Sequence, residues 1–392
     1  MRILVNALPF VGVLTGIQRY ARCLYRETEK LSDVSVGYFN GISCHPSMPE
    51  QRDAQVWAKK TERLWQIPPT VFTELRILHW LALEQRLNML AHSKRFDLYH
   101  ETTSFPAAVK RLPVVHTIYD LSLLKHREKH PRERVMLFDF FFKRRLPYAT
   151  HILAISEFMR QEILEDLRLP ADRVTAVPLA PEAVFHQRPA EQIAQVLARA
   201  GWPSEYLLFV GTLEPRKNLP LLLQALARSK TRVPLILAGW QGWGGPDWGS
   251  ELKRLNLQER VVCTGYVDEE TLACLYSGAA AVVYPSWYEG FGLPVLEAMA
   301  CGCPVICSNT SSLPEVAGDA AIFVGPEDAE GLAHALDTVL DDSALRQSLA
   351  QRGLMRAAEF SWENTASRTL EVFANVLESW TARKVFPKGR LP

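Results

Sequence analysis

Two carboxylates, Glu289 and Glu297, stand with seven residues between them in the run Pro285-Ser-Trp-Tyr-Glu289-Gly-Phe-Gly292-Leu-Pro294-Val-Leu-Glu297. Pro294 suits the first turn of a helix, which leaves Glu289 in the preceding loop and sets Glu297 about one turn into the helix. Gly290 and Gly292 between them permit tight folding with backbone N–H groups turned toward a ligand. Carboxylates placed this way reach different parts of one substrate. If they were only a loop residue and a helix-surface charge, the glycines would go unexplained. A second group is Gly211-Thr-Leu-Glu-Pro-Arg216-Lys217-Asn218, just before a helix expected from Leu219. Two cations beside a helix N-terminus favour a diphosphate, with a solvated basic pair as the plain alternative. Near the start, Gly12-Val-Leu-Thr-Gly16 opens another helix. Its spacing matches neither the dinucleotide fingerprint nor the phosphate loop of nucleotide hydrolases, so it reads equally as a flexible turn. The segment Val115-His116-Thr-Ile-Tyr119-Asp120 ends a strand with three titratable groups. Strand alternation turns His116 and Tyr119 to opposite faces, and a satisfied core or strand-end histidine is the favoured reading of His116.

These groups need strands and helices to position them. Short apolar, mostly β-branched runs bounded by turn residues recur at 3–5, 112–118, 152–155, 174–177, 207–210, 235–238, 261–262, 280–284, 305–306 and 321–324. Helical patterns lie between them at 18–30, 134–142, 157–167, 219–227, 269–276, 293–300 and 330–340. Alternation of this kind means parallel sheets with crossover helices, an α/β chain whose ligands bind at the carboxyl ends of the strands. The alternation runs through twice, on either side of a proline-rich stretch, 178–203, that is poor in strand formers. Two domains are expected: 1–180 and 181–360, followed by a C-terminal segment, 361–392.

Charge divides at the same place. The chain of 392 residues is almost neutral at +1, yet residues 1–180 carry 26 basic and 19 acidic side chains, net +7, and the remainder is net −6. Separate surfaces with separate tasks are implied. Composition excludes a disordered or low-complexity chain, with 48% hydrophobic and 22% charged residues. Seven cysteines, an odd number in a long chain, point to reduced thiols and a cytoplasmic setting. Cys301, Cys303 and Cys307 lack the second ligand pair that a structural zinc site needs, and read as buried thiols. The opening MRILVNALPFVGVLTG is broken by Asn6, Pro9 and Gly12, so it reads as a first strand and loop rather than a signal peptide. No apolar run reaches the length of a membrane-spanning helix, which limits membrane contact to the periphery.

The run Glu289 to Glu297 resembles the glutamate, seven residues, glutamate motif found in family 4 retaining glycosyltransferases of the GT-B fold. Gly211 to Asn218, Gly265-Tyr266-Val267, Glu297-Ala-Met-Ala-Cys-Gly302 and Ser312-Leu-Pro-Glu315 resemble further strings of that family, in the same order. Phe360-Ser-Trp362-Glu363 resembles the start of its terminal helix, which crosses back to the first domain. The resemblance is strongest over 205–330, and its overall pattern looks most like bacterial mannosyltransferases using GDP-mannose. It implies two Rossmann-like domains with parallel sheets facing a central cleft: an acceptor-side domain, 1–180, and a nucleotide-sugar domain, 181–360. It also implies that Arg216 and Lys217 bind the donor diphosphate, that Glu297 binds the ribose hydroxyls, and that Glu289 lies at the transferred sugar. The N–H groups of Gly290, Phe291, Gly292 and Leu293 would hold sugar and phosphate, Gly265 and Tyr266 would flank the base, and Gly16 would reach the diphosphate from the other domain. Two departures stand out. Thr212 occupies a position where many relatives have Arg, and Tyr119 stands where many have the His of a His-Asp pair. Tyr119 and Asp120 are then expected at the sugar and acceptor pocket, with His116 as an outlying alternative.

The implied chemistry breaks a sugar C1–phosphate bond through an oxocarbenium-like state while charge grows on the leaving diphosphate, which fixed cations and N–H groups stabilise. No cofactor or metal is implied: no Asp-any-Asp motif follows a strand, and Asp341-Asp342 lies in a polar helical region. Spacing leaves open whether Glu289 is a nucleophile or the leaving phosphate takes the acceptor proton on the same face; the resemblance favours the second. Residues 125–145 hold eight basic and three acidic side chains interleaved with Val135, Met136, Leu137, Phe138, Phe140, Phe141 and Phe142. That pattern fits docking on an anionic membrane surface, the inner face of the cytoplasmic membrane, where a saccharide or lipid-linked saccharide acceptor would be presented. It fits equally a core helix with a solvated basic face. Nucleic-acid binding is disfavoured, since no recognised module is present. Two other functions share the expected fold or site: a sugar-nucleotide epimerase, which converts donor without acceptor, and a non-catalytic nucleotide-sugar-binding protein.

Overall fold

The computed structural model describes residues 1–11, 16–50, 69–93, 95–243 and 248–385. They divide into two compact units. The first comprises residues 1–127, 132–178 and the C-terminal segment from Trp362; the second comprises Glu128–Pro131 and Leu179–Ser361.

The first unit is built on a seven-stranded sheet of β1 (Arg2–Asn6), β2 (Ser35–Phe39), β3 (Cys44–His45), β4 (Leu98–Glu101), β5 (Val114–Ile118), β6 (His151–Ala154) and β7 (Val174–Ala176). The order is β3-β2-β1-β4-β5-β6-β7, parallel except for the edge strand β3. Strands of a parallel sheet are covered on both faces, which explains the unbroken apolar runs of β1 and β6. Leu4, Phe39, Tyr99 and Val114 pack with Leu83, Leu87 and Ala91 of the helix Pro69–His92. The terminal helix Trp362–Val385 belongs to this unit: Trp362 packs on Tyr20, Phe373 lies 5.1 Å from the His100 ring, and the Thr365 hydroxyl donates to the Pro178 carbonyl.

The second unit holds β8 (Leu207–Val210), β9 (Leu235–Ala238), β10 (Val261–Gly265), β11 (Ala281–Tyr284), β12 (Val305–Ser308) and β13 (Ala321–Val324), all parallel, in the order β10-β9-β8-β11-β12-β13. This is a doubly wound sheet, whose order reverses between β8 and β11; the first sheet reverses between β1 and β4. The helices Leu219–Arg228 and Ala329–Asp341 contribute Leu222, Leu226, Leu332 and Leu336 to its core.

Two expectations change. The proline-rich stretch 178–203, where no helix was expected, contains the helix Ala190–Ala200, which Gly201 ends in the left-handed conformation. The basic aromatic stretch is largely the helix Arg132–Arg145, with Leu137, Phe138, Phe141 and Phe142 buried. Arg145 is buried too, 2.6 Å from Glu84, so neither it nor those aromatics lie at a surface. What that helix exposes is Arg132, Arg134, Met136, Lys143 and Arg144.

Candidate active site

The carboxyl ends of β8 and β11 carry the residues that converge. Beyond β8 the chain passes Gly211 into a short 3-10 turn, Pro215–Lys217, then Asn218, whose left-handed backbone starts the helix Leu219–Arg228. Beyond β11, residues 285–292 lead into the helix Leu293–Ala300. Because β8 and β11 are adjacent, the two loops meet: the Trp287 amide donates to the Arg216 carbonyl at 2.9 Å. Lys217 Nζ stands 2.6 Å from Glu289 Oε1, and Arg216 Nη1 lies 2.9 Å from Glu289 Oε2. Arg216 is further held by Glu214, 2.6 Å away, and by the Tyr288 carbonyl, and Lys217 donates to the Tyr284 hydroxyl. Burial alone would push the Glu289 carboxyl up, but the charges of Arg216 and Lys217 together outweigh it and hold its pKa at about 2. Glu289 is therefore a buried, fully ionised carboxylate bound by two cations.

The loop that carries it is fixed at its backbone. The Ser312 hydroxyl is shared between the carbonyls of Glu289 and Phe291, and the Glu289 amide donates to the Ser311 hydroxyl. Gly292 has φ +108°, and a Cβ there would sit 2.7 Å from a Leu313 methyl, so the glycine is needed where the chain turns into the helix. The amides of Gly292 and Leu293 have no acceptor among the described residues. Glu297 is buried elsewhere on the same helix, where it accepts from the Tyr276 hydroxyl at 3.1 Å. Gly265 ends β10 and Tyr266 follows it, stacked on Trp240 at 5.2 Å.

In the first unit, Gly16 is exposed at the start of the helix Gly16–Thr28, and Gly12 lies outside the described residues. His116 is buried: Nε2 donates to the Thr103 carbonyl, Nδ1 has no partner among the described residues, and burial lowers its pKa to about 4. The Tyr119 hydroxyl donates to the Thr102 carbonyl inside the core. Asp120, half-buried, accepts from the amide and hydroxyl of Ser122. Cys301, Cys303 and Cys307 are buried thiols that burial pushes up, Cys301 to about 12, and no cluster suited to a metal occurs among the described residues.

Comparison with known proteins identifies the family and the fold. Residues 199–355 match the family model "Glycosyl transferases group 1", and residues 14–180 match "Glycosyltransferase Family 4". The O-antigen chain mannosyltransferase B of Escherichia coli is 35% identical over 390 residues, covering 95% of this chain and 99% of that protein. The chain belongs to this glycosyltransferase family. It is a GT-B glycosyltransferase dependent on a nucleotide sugar. Its fold is also that of sucrose-phosphate synthase from Thermosynechococcus elongatus, at 22% identity and a TM-score of 0.74 over 96% of this chain and 99% of that one. Anabaena HepE, solved in complex with UDP and glucose, superposes with a TM-score of 0.71 at 18% identity, over 96% and 100% of the two chains.

Sequence reasoning missed several residues at these strand ends. Tyr284 ends β11 as an apolar-run residue, yet its hydroxyl meets Lys217. Gly239, just after β9, has φ +148°, and a Cβ there would lie 2.0 Å from the Gly211 carbonyl oxygen, so the ends of β8 and β9 approach only because this residue is glycine. A glycine directly after a strand was the available signal. Lys129, counted with the basic stretch, instead lies over the Trp287 ring at 4.2 Å, its carbonyl bonded by the Trp243 indole. Burial and then Arg216 lower its pKa, Glu128 acting the other way, so a further cation sits near the Arg216–Glu289 pair.

Proposed function

We propose that this glycosyltransferase moves a mannosyl residue from GDP-mannose onto a growing, lipid-linked surface polysaccharide, with retention at C1. The observation that carries the reading is the convergence of a buried lysine, a largely covered arginine and a buried carboxylate at the β8–β11 reversal, in a chain similar over 95% of its length to an O-antigen chain mannosyltransferase. In this reading Arg216 and Lys217 take the diphosphate, and the amides of Gly290 to Leu293 hold sugar and phosphate. Glu289 faces the sugar, Glu297 takes the ribose hydroxyls, and Gly265 and Tyr266 flank the base. On the acceptor side Asp120 is the more accessible group, while the buried side chains of Tyr119 and His116 shape the strand end behind it. The C1–oxygen bond breaks with its electron pair passing to the diphosphate. The acceptor hydroxyl oxygen then bonds C1 on the same face and its proton goes to the leaving phosphate, with Arg216, Lys217 and the loop amides neutralising the charge that grows there.

Nucleotide release measured across GDP-, UDP- and dTDP-sugars, with and without membrane lipid extract, tests this. Acceptor-dependent release from GDP-mannose is expected, and release only from a UDP or dTDP donor would overturn the donor assignment. Conversion of the donor without acceptor would indicate an epimerase, and donor binding without release under any acceptor a binding protein. The cytoplasmic, peripheral placement is tested with Lys143 and Arg144 changed to Ala. Weaker binding to anionic vesicles is expected, and unchanged binding returns these residues to a solvated helix face.

A further inference from the structure

Arg216 and Lys217 are both paired with Glu289. Both Glu289 oxygens are committed, one to each cation at 2.6 and 2.9 Å, and the three side chains are only 9–13% exposed. Glu214 occupies the other edge of the Arg216 guanidinium. A diphosphate that takes these cations therefore competes with an anion already in place. The Glu289 backbone cannot follow, since Ser311 and Ser312 pin its amide and carbonyl; the side chain alone must swing. A carboxylate left buried and without donors is strongly unfavourable. An intact nucleotide sugar brings hydroxyl donors to the carboxylate it has displaced, and a spent nucleoside diphosphate brings none.

We infer that Glu289 makes the enzyme select the intact nucleotide sugar over the free nucleoside diphosphate, by holding the phosphate-binding cations itself until sugar hydroxyls replace the contacts it gives up. This rests on reading Arg216 and Lys217 as the cations of the diphosphate. Glu289 is then a specificity-determining residue that also expels product: once the sugar has left, the carboxylate recaptures both cations and the diphosphate is released. While it is paired, the two cations outweigh burial and keep the Glu289 side chain ionised.

Calorimetric binding of GDP, UDP, GDP-mannose and UDP-glucose to wild type, Glu289→Gln and Lys217→Met tests the inference, with circular dichroism confirming that each variant is folded. The wild type is expected to bind one sugar nucleotide more tightly than its own nucleoside diphosphate, a comparison that needs no variant. Glu289→Gln should tighten the diphosphate by at least about fivefold, as removal of a competing occupant does, while weakening the sugar nucleotide and transfer. Equal or weaker diphosphate binding in Glu289→Gln, with binding lost in Lys217→Met, would overturn the role of Glu289 and keep the cation assignment. Unchanged binding of every nucleotide in Lys217→Met would overturn the cation assignment itself.

Discussion

Each sheet buries a glutamate where its strand order reverses, and the two are held in opposite ways. Glu101 ends β4 and accepts from Asn6 at the end of β1 at 3.0 Å, from the Tyr99 hydroxyl, and from the amides of Thr103 and Ala107. Glu289 accepts from Lys217 and is paired with Arg216. Burial pushes both carboxyls up. Neutral donors only partly offset it at Glu101, whose pKa stays raised, whereas two cations reverse it at Glu289. The difference separates a pin from a socket. Glu101 ties down the segment after β4 through bonds to fixed backbone, with nothing another anion would seek. Glu289 binds long cationic side chains that can turn to a phosphate.

The contrast breaks most visibly at Lys217. Lys217→Ala leaves Glu289 buried with Arg216 alone, so a loss of about 3–5 kcal/mol is expected in urea unfolding of the second unit. Transfer should fall by at least about a hundredfold; near-normal stability with near-normal activity would show that the socket is neither buried nor used.

Acid should separate the units next. In the first, His100 bridges the Tyr25 and Thr117 hydroxyls, and burial lowers His100 to about 3 and His116 to about 4. The unfolded chain takes those protons near pH 6.5 and the folded chain does not, so stability falls as pH drops from 6.5 toward 4. The loss is on the order of 3 kcal/mol for His116, and Glu101 partly offsets it at the lower end because its raised carboxyl takes up a proton first. The Glu289 contribution is fully present above pH 4.5 and is lost as pH falls from there toward 2. Hydrogen exchange resolved by peptide should show the first unit opening at pH 5 while the second keeps its protection. Simultaneous loss in both units above pH 4.5 would refute the assignment of neutral and ionic networks.

A smaller effect tests the pin. Glu101→Gln turns an amide nitrogen toward donors that now face an acceptor, and about 1–3 kcal/mol should be lost from the first unit with nucleotide affinity unchanged. Altered nucleotide affinity would mean that the first reversal point also serves the donor.

The sequence made the second unit more legible than the first, for a physical reason. Strands such as 207–210 and 281–284 are apolar because both faces are covered, and the loops after them hold glycines, cations and carboxylates in recognisable strings. β4 was overlooked because Leu98-Tyr-His-Glu101 is half polar; its His100 and Glu101 are buried only because partners on other elements satisfy them. β2 and the helices Pro69–His92 and Ala190–Ala200 were overlooked as well, the last inside a proline-rich stretch whose Pro189 in fact precedes a helix. The ion pair between Lys217 and Glu289 spans 72 residues and depends on β8 lying beside β11, which strand order decides and local spacing does not.

The smallest expected effect concerns the other glutamate of the motif. Glu297 has a hydroxyl partner, Tyr276, where Glu289 has cations, so it resembles Glu101 in how it is held and Glu289 in where it lies. Tyr276→Phe removes one hydrogen bond to a carboxylate and should cost about 1–2 kcal/mol of stability. If Glu297 receives the ribose hydroxyls, the loosened carboxylate should raise donor KM severalfold with kcat held, because the ribose contact is the same in ground and transition states. A fall in kcat at constant KM would instead place Glu297 at the reacting sugar. No change in either constant would make it a packing residue, leaving Glu289 as the only working carboxylate of the pair.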